Sequence, residues 1–166
     1  MKTFVISDPH FGHANIIKFC NRPFASVEEM DNTMVRLWNE VVGHDDKVIV
    51  NGDFMFYKKD TGIFNSLKGH KFLVMGNHDH SATKNLGWEG VYDIMDFTYN
   101  QRKVVMFHYP IEEWNGKFHG SIHLFGHVHT TPVTEIPNRY NICVEKIGYA
   151  PVPIETFTNR EVYSYK

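Results

Sequence analysis

The sequence predicts an α/β fold in which sheets lie between helices. Short runs rich in β-branched and aromatic residues are bounded by Gly, Asn, Asp or Pro, a pattern typical of strands buried on both faces. These runs cover residues 3–7, 48–50, 72–75, 104–107 and 123–125. A helix with one apolar face separates the first two runs, and strand pairs follow later in the chain. Alternation of strand and helix followed by more strands predicts an α/β sandwich.

The helix after the first strand begins at a capping box made by Ser26 and Glu29. Apolar residues then recur at helical spacing as far as Val41, which predicts a helix that packs on the core. A shorter helix is expected over residues 61–67, ending at Gly69. We also expect two hairpins, one pairing 93–99 with 103–107 around 100–101, and one pairing 154–158 with 161–165 around 159–160.

Size and composition predict one globular domain over residues 1–166. The chain is 42% hydrophobic and 22% charged, as in ordinary soluble proteins, and its formal net charge of -2 gives no reason to expect nonspecific nucleic-acid or membrane binding. No apolar segment approaches the ~20 residues of a membrane span, and the apolar start is too short for a signal peptide. Cys20 and Cys143 have no metal-ligand or redox spacing. We therefore expect reduced thiols and a cytoplasmic protein.

Each of the five predicted strands ends in polar residues of types that bind metals. In chain order these residues are Asp8 and His10, then Asp53, then Asn77, His78 and Asp79, then His108, and finally His127 and His129. Ligands in α/β folds bind outside the carboxyl ends of strands, so we expect these side chains to converge. Carboxylate, amide and imidazole donors without thiolate favour Mn, Fe, Co, Ni or Zn over Mg or Ca. A structural zinc ion needs four ligands, and about twice that number indicates a binuclear centre.

These five blocks of polar residues, one after each predicted strand, occur in the same order as in the calcineurin-like metallophosphoesterase family, and the sequence resembles that family. The resemblance covers residues 8–129, and the sequence departs from the family pattern at none of the metal-ligand positions. The run Asp8-Pro9-His10-Phe11-Gly12-His13 is similar to a small bacterial and phage branch of that family. The resemblance implies a four-layer α/β/β/α sandwich and two divalent transition-metal ions, manganese first among them. It also implies hydrolysis of phosphodiesters or phosphomonoesters. We favour diesters because a small, open site with a histidine acid suits an alkoxide leaving group, and a nucleotide, a cyclic nucleotide or a nucleic-acid end is among the expected substrates.

The resemblance also implies a role for each matching residue. Asp8, His10 and His129 would hold one ion, Asn77, His108 and His127 the other, and Asp53 would bridge both. A hydroxide between the ions would attack phosphorus in line with the leaving oxygen. His78 would protonate the leaving alkoxide, and Asp79 would orient the His78 imidazole.

Three further residues are candidate substrate contacts. His13 would face the phosphate or its leaving group, with a helix-capping or surface histidine as the alternative. Arg22 would clamp phosphate because a guanidinium matches two phosphate oxygens, with a plain surface arginine as the alternative. Tyr109 would shape the pocket wall. Trp114 is predicted to cover the core rather than stack on a base, and His123 to be structural.

Two other functions stay open on the sequence. One is a non-catalytic scaffold that keeps the fold and binds a protein partner, and the other is a structural protein with a single metal ion. The scaffold would be favoured by loss of His78 or of several ligands, whereas all of them are present. The surplus of ligands disfavours the single-metal protein.

Overall fold

The computed structural model describes residues 1–57 and 62–163. The described strands are β1 Thr3–Ile6, β2 Lys47–Val50, β3 His70–Val74, β4 Gly90–Tyr92, β5 Met95–Tyr99, β6 Arg102–Met106, β7 Ile122–Phe125, β8 Arg139–Asn141 and β9 Val152–Pro153. The described helices are α1 Ala14–Phe19, α2 Val27–Val41, α3 Ile63–Ser66, α4 Ser81–Lys84, α5 Val144–Ile147 and α6 Glu155–Thr158, with a 3₁₀ helix at Lys117–His119.

The strands form two sheets whose carboxyl edges meet. The first sheet has the order β4-β3-β2-β1-β9, with β1 to β4 parallel and β9 antiparallel to β1. The second has the order β5-β6-β7-β8, with β6 to β8 parallel and β5 antiparallel to β6. Ser7, just after β1, pairs with Cys143, just after β8. The Asn51 side chain, after β2, donates to the Phe107 carbonyl, after β6. The polar residues that follow the parallel strands therefore come together.

The first sheet is buried on both faces, as its continuous apolar runs predict. Phe4 and Ile6 of β1 pack with residues of α1, α2 and α3, whereas Val5 lies in the core between the sheets. The second sheet contributes Val104, Met106, Ile122 and Leu124 to that core. On the outer face of the second sheet, Trp114 from the connection 107–121 packs against His123. The predicted α/β sandwich of two sheets flanked by helices is confirmed.

Helix α2 begins where the sequence predicts. The Ser26 hydroxyl accepts a hydrogen bond from the Glu29 N–H, and the Glu29 carboxylate accepts one from the Ala25 N–H. The apolar face places Met34 and Trp38 in the core. At 15 residues, α2 is the longest described helix. None of the helices in the described part of the chain has both the length and the apolar character needed to cross a membrane.

The two predicted hairpins have different outcomes. β5 and β6 form the first, and its turn residues Asn100 and Gln101 both have positive φ, as in the turns that suit hairpins. The second is wrong, because residues 155–158 form α6. Ile154 and Phe157 are both buried in the core between the sheets. Residues three apart share a face of a helix but lie on opposite faces of a strand, so this burial requires the helix. The expected partner strand reaches residues 164–165, outside the described residues.

Candidate metal centre

Two groups of ligand atoms lie at the edge where the sheets meet. Asp8, His10 and His129 each place one ligand atom so that all three lie within 4.8 Å of one another. Asp53, His108 and His127 form a second such group. The Asn77 side-chain oxygen joins the second group, at 3.1 Å from His108 Nε2 and 2.9 Å from His127 Nδ1. The structure thus brings together all seven residues that the resemblance assigns to metal binding.

Asp53 lies between the two groups. Its Oδ2 atom is 3.6 Å from His10 Nε2 in the first group and 3.4 Å from His108 Nε2 in the second. Its Oδ1 atom accepts a hydrogen bond of 2.8 Å from the His78 N–H. The Asp53 side chain is almost fully buried, so this orientation is fixed by protein contacts. The geometry suits a carboxylate shared by two cations.

The backbone of this centre is strained. Five of the candidate ligands have positive φ, a region that non-glycine residues seldom occupy: Asp8, His10, Asp53, His127 and His129, with φ between 50° and 68°. Such conformations cost of order 1–3 kcal/mol each and cluster at functional sites, where the surrounding structure holds them. The turns with positive φ direct the side chains of these five ligands toward the same place, just beyond the ends of the strands that they follow.

Two glycines permit the close approach of these turns. A Cβ on Gly126 would lie 2.2 Å from Asp8 Oδ2 and 2.0 Å from the Ser7 hydroxyl. A Cβ on Gly76 would lie 2.2 Å from Asp53 Oδ1. All three distances are far below van der Waals contact. The glycines of the sequence blocks are therefore required where the backbone passes the carboxylates.

Asp8 presents a single free oxygen to the first group. Its Oδ2 accepts from the Ser7 hydroxyl at 2.5 Å and from the His127 N–H at 3.0 Å. Its Oδ1 is buried without a hydrogen-bond partner among the described residues, and the same holds for His10 Nε2. Unpartnered buried polar atoms are rare, and two that face each other at 3.8 Å are suited to bind a cation together. Burial opposes ionisation of Asp8, but His10, His108 and His129 outweigh it and lower the pKa of the carboxyl.

In the second group, His108 is oriented by the main chain. Its Nδ1 hydrogen-bonds to the Asn51 carbonyl at 2.8 Å, so Nε2 is directed toward Asp53 and Asn77. Burial lowers the basicity of His108, but the hydrogen bond with Asp53 and the charge of Asp8 raise its pKa to about 9. The carboxylates thus create an excess of negative charge, which a proton on His108 or bound cations would neutralise.

A buried acid that the sequence analysis missed supports the first group. Glu145 Oε1 is 3.1 Å from His129 Nδ1, which directs His129 Nε2 toward Asp8 Oδ1 at 3.7 Å. Burial opposes the Glu145 charge, but His129 and Arg22 lower the pKa of the carboxyl. The available signal was a sixth strand end, because Glu145 follows β8 as the other candidates follow their strands. β8 was not among the strands predicted from the sequence.

Arg22 does not reach the cleft, which corrects the predicted phosphate clamp. Its guanidinium is buried and donates to the Asp8 and Pro9 carbonyls, both at 2.8 Å. It also contacts Glu145 Oε1 through Nε at 2.9 Å and through a terminal nitrogen at 2.8 Å. These acceptors, with the Met30 sulfur, engage all five of its N–H groups. Arg22 therefore fixes the strained turn at Asp8 and the carboxylate behind His129.

Cys20 forms a third cluster with His129 and Glu145. Burial and the neighbouring Glu145 charge raise the pKa of the Cys20 thiol to about 11. The thiolate is the metal-binding form of cysteine, so a neutral thiol is a poor ligand. The two groups joined by Asp53 remain the better cation sites.

The Asp79 carboxylate accepts hydrogen bonds from backbone N–H groups. It does not orient the His78 imidazole, which was the role expected for it. Its Oδ2 accepts from the Asp53 N–H at 2.8 Å and the Gly76 N–H at 2.9 Å, and its Oδ1 accepts from the Phe54 N–H at 3.0 Å. Asp79 is buried, and burial raises the pKa of its carboxyl. It therefore joins the turn that carries Asp53 to the turn that carries Asn77 and His78.

An open cleft of about 680 Å³ lies over the first group and reaches His127 of the second. His78 lines it, with its ring 5.6 Å from that of His10. His13 also lines it and stacks on Phe56 at 3.9 Å. Burial, followed by the charges of His10 and His78, lowers the pKa of His13 to about 4, so its ring is neutral near pH 7. Tyr109 packs against His127 at 4.6 Å.

Trp114 and His123 lie outside the cleft, as predicted. Trp114 is buried and donates to the Ser121 hydroxyl. The His123 ring contacts the Val105 and Tyr109 carbonyls, which satisfies a buried imidazole.

With this geometry established, comparison with known proteins identifies relatives of the chain. It is 36% identical over 164 residues to protein MJ1445 of Methanocaldococcus jannaschii, covering 93% of this chain and 88% of that protein. The chain belongs to the MJ1445 family. The gene 66 protein of Mycobacterium phage L5 is 35% identical to it over 82 residues, 46% of this chain and 39% of the phage protein. No family model matches the sequence.

The fold of this MJ1445 family member is also found in a solved structure. The crystal structure of protein AQ665 from Aquifex aeolicus superposes with a TM-score of 0.75 and covers 95% of this chain and 98% of that one. The two sequences are 22% identical. The comparison supports the two-sheet architecture.

Proposed function

We propose that the protein is a phosphoesterase that uses two metal ions, in agreement with the resemblance of its motifs to the calcineurin-like metallophosphoesterases. The observation that carries the proposal is the position of Asp53 Oδ2 between His10 Nε2 and His108 Nε2. Asp8, His10 and His129 would hold one ion and Asn77, His108 and His127 the other, with Asp53 shared. Two such cations supply Lewis acidity toward the phosphoryl group and lower the pKa of bound water.

The remaining chemistry belongs to side chains of this chain. His78 lines the cleft beside His10 and would give its ring proton to the leaving alkoxide. Asp79 would keep the Asp53 and Asn77 turns in register through its three N–H acceptor contacts. Imidazole, carboxylate and amide donors suit manganese, iron, cobalt, nickel or zinc.

The lack of basic side chains among the described lining residues of the cleft favours phosphodiesters over phosphomonoesters as substrates. Of the described residues that line the cleft, none is a lysine or an arginine. A monoester at neutral pH carries close to two negative charges and a diester carries one. A cleft without basic side chains offers little to neutralise the second charge apart from the metal ions.

Metal dependence of hydrolysis tests the proposal. We expect the chelator-treated protein to be inactive toward bis-p-nitrophenyl phosphate and to recover activity on addition of Mn²⁺, because the attacking water depends on the cations. Hydrolysis is followed by release of p-nitrophenolate across a panel of divalent metals. A protein that binds two ions and hydrolyses no ester would favour the scaffold function, and full activity after chelation would contradict the proposed chemistry.

Glu145 gives a second prediction. Glu145→Gln keeps the size of the side chain but removes the charge that holds His129 Nδ1–H and Arg22. Loss of such a carboxylate behind a ligating histidine costs about 10- to 100-fold in metal affinity. We expect a loss of this size at one of the two Mn²⁺ sites by isothermal titration calorimetry.

The matched control is Glu28→Gln, at an exposed position on α2. Circular dichroism confirms folding of both variants before titration. Two sites of wild-type affinity in folded Glu145→Gln would show that Glu145 does not orient His129 for a cation.

A further inference from the structure

Two phenylalanines are exposed at the rim of the candidate metal centre. The Phe19 side chain, at the end of α1, is 75% exposed, and that of Phe56 is 46% exposed. Both line the same cleft as His10, Asp53 and His78. Burying a phenylalanine side chain is favourable, so exposed rings grouped at one site indicate a binding surface.

The rings form a continuous aromatic surface. His13 stacks on Phe56 with its ring plane 9° from parallel and the centroids 3.9 Å apart. Phe19 meets the His13 ring edge to face at 6.3 Å. His13 thus covers one face of the Phe56 ring, and Phe56 is still 46% exposed. We call Phe19, His13 and Phe56 the aromatic rim.

The main chain at Phe56 is hydrogen-bonded to the segment that carries the first metal ligands. The Phe56 N–H donates to the Phe11 carbonyl at 2.7 Å, and the Phe11 N–H donates to the Phe54 carbonyl at 3.0 Å. The His10 N–H donates to the Asp53 carbonyl at 3.0 Å. The main chain of Phe56 therefore has a fixed position relative to Asp53, so little backbone ordering is required when a ligand binds.

The aromatic rim also lies next to the proposed proton donor. The Phe56 ring centroid is 5.5 Å from that of His78. If His78 protonates the leaving oxygen, the group attached to that oxygen passes beside Phe56. A flat aromatic group in that position can stack on the exposed part of the Phe56 ring.

We propose that the aromatic rim binds a nucleobase, so that the substrate is a phosphodiester of a single nucleoside. This inference rests on the proposed phosphoesterase function. A cleft of about 680 Å³ is within the size range of small-ligand sites. A nucleic-acid strand needs cationic side chains along its backbone, and the described lining residues include no lysine or arginine. The chemistry therefore favours one base and one phosphate over a polymer.

The test compares two esters that differ only in the base. The phosphate methyl esters of adenosine 5′-phosphate and of ribose 5-phosphate contain the same diester. The ratio of their kcat/KM values reports the contribution of the base to catalytic efficiency. We expect this ratio to be about tenfold in the wild-type protein, mainly through KM, and to fall close to one in Phe56→Leu. Phe56→Trp, which keeps a stacking face, should preserve the ratio.

Phe118→Leu is the matched control, since Phe118 is an exposed phenylalanine outside the cleft lining. An unchanged ratio in Phe56→Leu, or an equal loss in Phe118→Leu, would overturn the inference while leaving the phosphoesterase function intact. If the wild-type protein hydrolyses neither ester, binding affinities measured by calorimetry test whether the aromatic rim binds a base. Calorimetric affinity for adenosine 5′-phosphate about tenfold above that for ribose 5-phosphate, lost in Phe56→Leu, would support the aromatic rim, and equal affinities would exclude it.

Discussion

Asp53→Asn is expected to lower kcat/KM for a phosphodiester by about a thousandfold or more, with the fold retained. Sharing of a carboxylate between two cations contributes several kcal/mol, and each 1.36 kcal/mol corresponds to a factor of ten. The amide oxygen can still accept the His78 N–H, as Asp53 Oδ1 does. The amide nitrogen would then point at the His10 and His108 ring nitrogens and repel cations from both groups.

Asparagine is a well-matched replacement at this position. Asp53 has a φ of 54°, and asparagine tolerates this left-handed conformation better than most residues. The Asp53 N–H can still donate to Asp79. The control is Asp45→Asn, an exposed position that precedes β2 and so lies at the opposite end of that strand. Activity of folded Asp53→Asn within tenfold of wild type would contradict the shared-carboxylate geometry.

His78→Ala is expected to lower kcat about 100- to 10,000-fold for an alkyl ester, because a general acid contributes a factor of that size. The loss should be much smaller for a p-nitrophenyl ester, whose leaving group departs without a proton. The contact from residue 78 to Asp53 is made by the main chain, so alanine retains it. Metal content, measured by inductively coupled plasma mass spectrometry, should therefore stay at the wild-type value.

His80→Ala is the matched control for His78→Ala. His80 is exposed and precedes α4, two residues beyond His78. A comparison of the alkyl and p-nitrophenyl esters distinguishes proton donation by His78 from a role in positioning the substrate, because only the alkyl leaving group needs a proton. An equal loss on the alkyl and p-nitrophenyl esters, or a loss of bound metal, would show that His78 does not act as the proton donor.

The convergence of the candidate site could be predicted because it depends on a simple rule. Parallel strands bring their carboxyl ends to one edge, so residues that follow different strands meet although they are distant in sequence. Asp8 and His127 illustrate this, since the Asp8 carboxylate accepts the His127 N–H across 119 positions of separation. Glycines before three of the ligands, Asp53, Asn77 and His127, were visible in the sequence. For Gly76 and Gly126 the structure supplies the reason, which is the close approach of the backbone to the carboxylates.

The elements that the sequence analysis missed are short. β8 has three residues and α6 has four, too few for either periodicity to be distinguished. Ile154 and the threonines near it have a high strand propensity. A helix forms instead because it places Ile154 and Phe157 on the same face, where both are buried in the core. Without β8 there was no reason to place Glu145 behind His129.

The directions of buried polar side chains could not be predicted either. Asp79 directly follows His78 in sequence, and Arg22 carries a guanidinium that matches phosphate oxygens, so they were expected to act on His78 and on the substrate. In the structure both satisfy backbone groups of the strained ligand turns. Unpaired backbone groups in buried turns are costly, and sequence spacing does not show which side chain will satisfy them.

The most direct test is the anomalous scattering of manganese in crystals of the Mn²⁺-loaded protein. Two peaks about 3.5–4 Å apart are expected, with Asp53 in contact with both, Asp8, His10 and His129 around one, and Asn77, His108 and His127 around the other. A single peak, or two peaks that do not share Asp53, would contradict the binuclear centre.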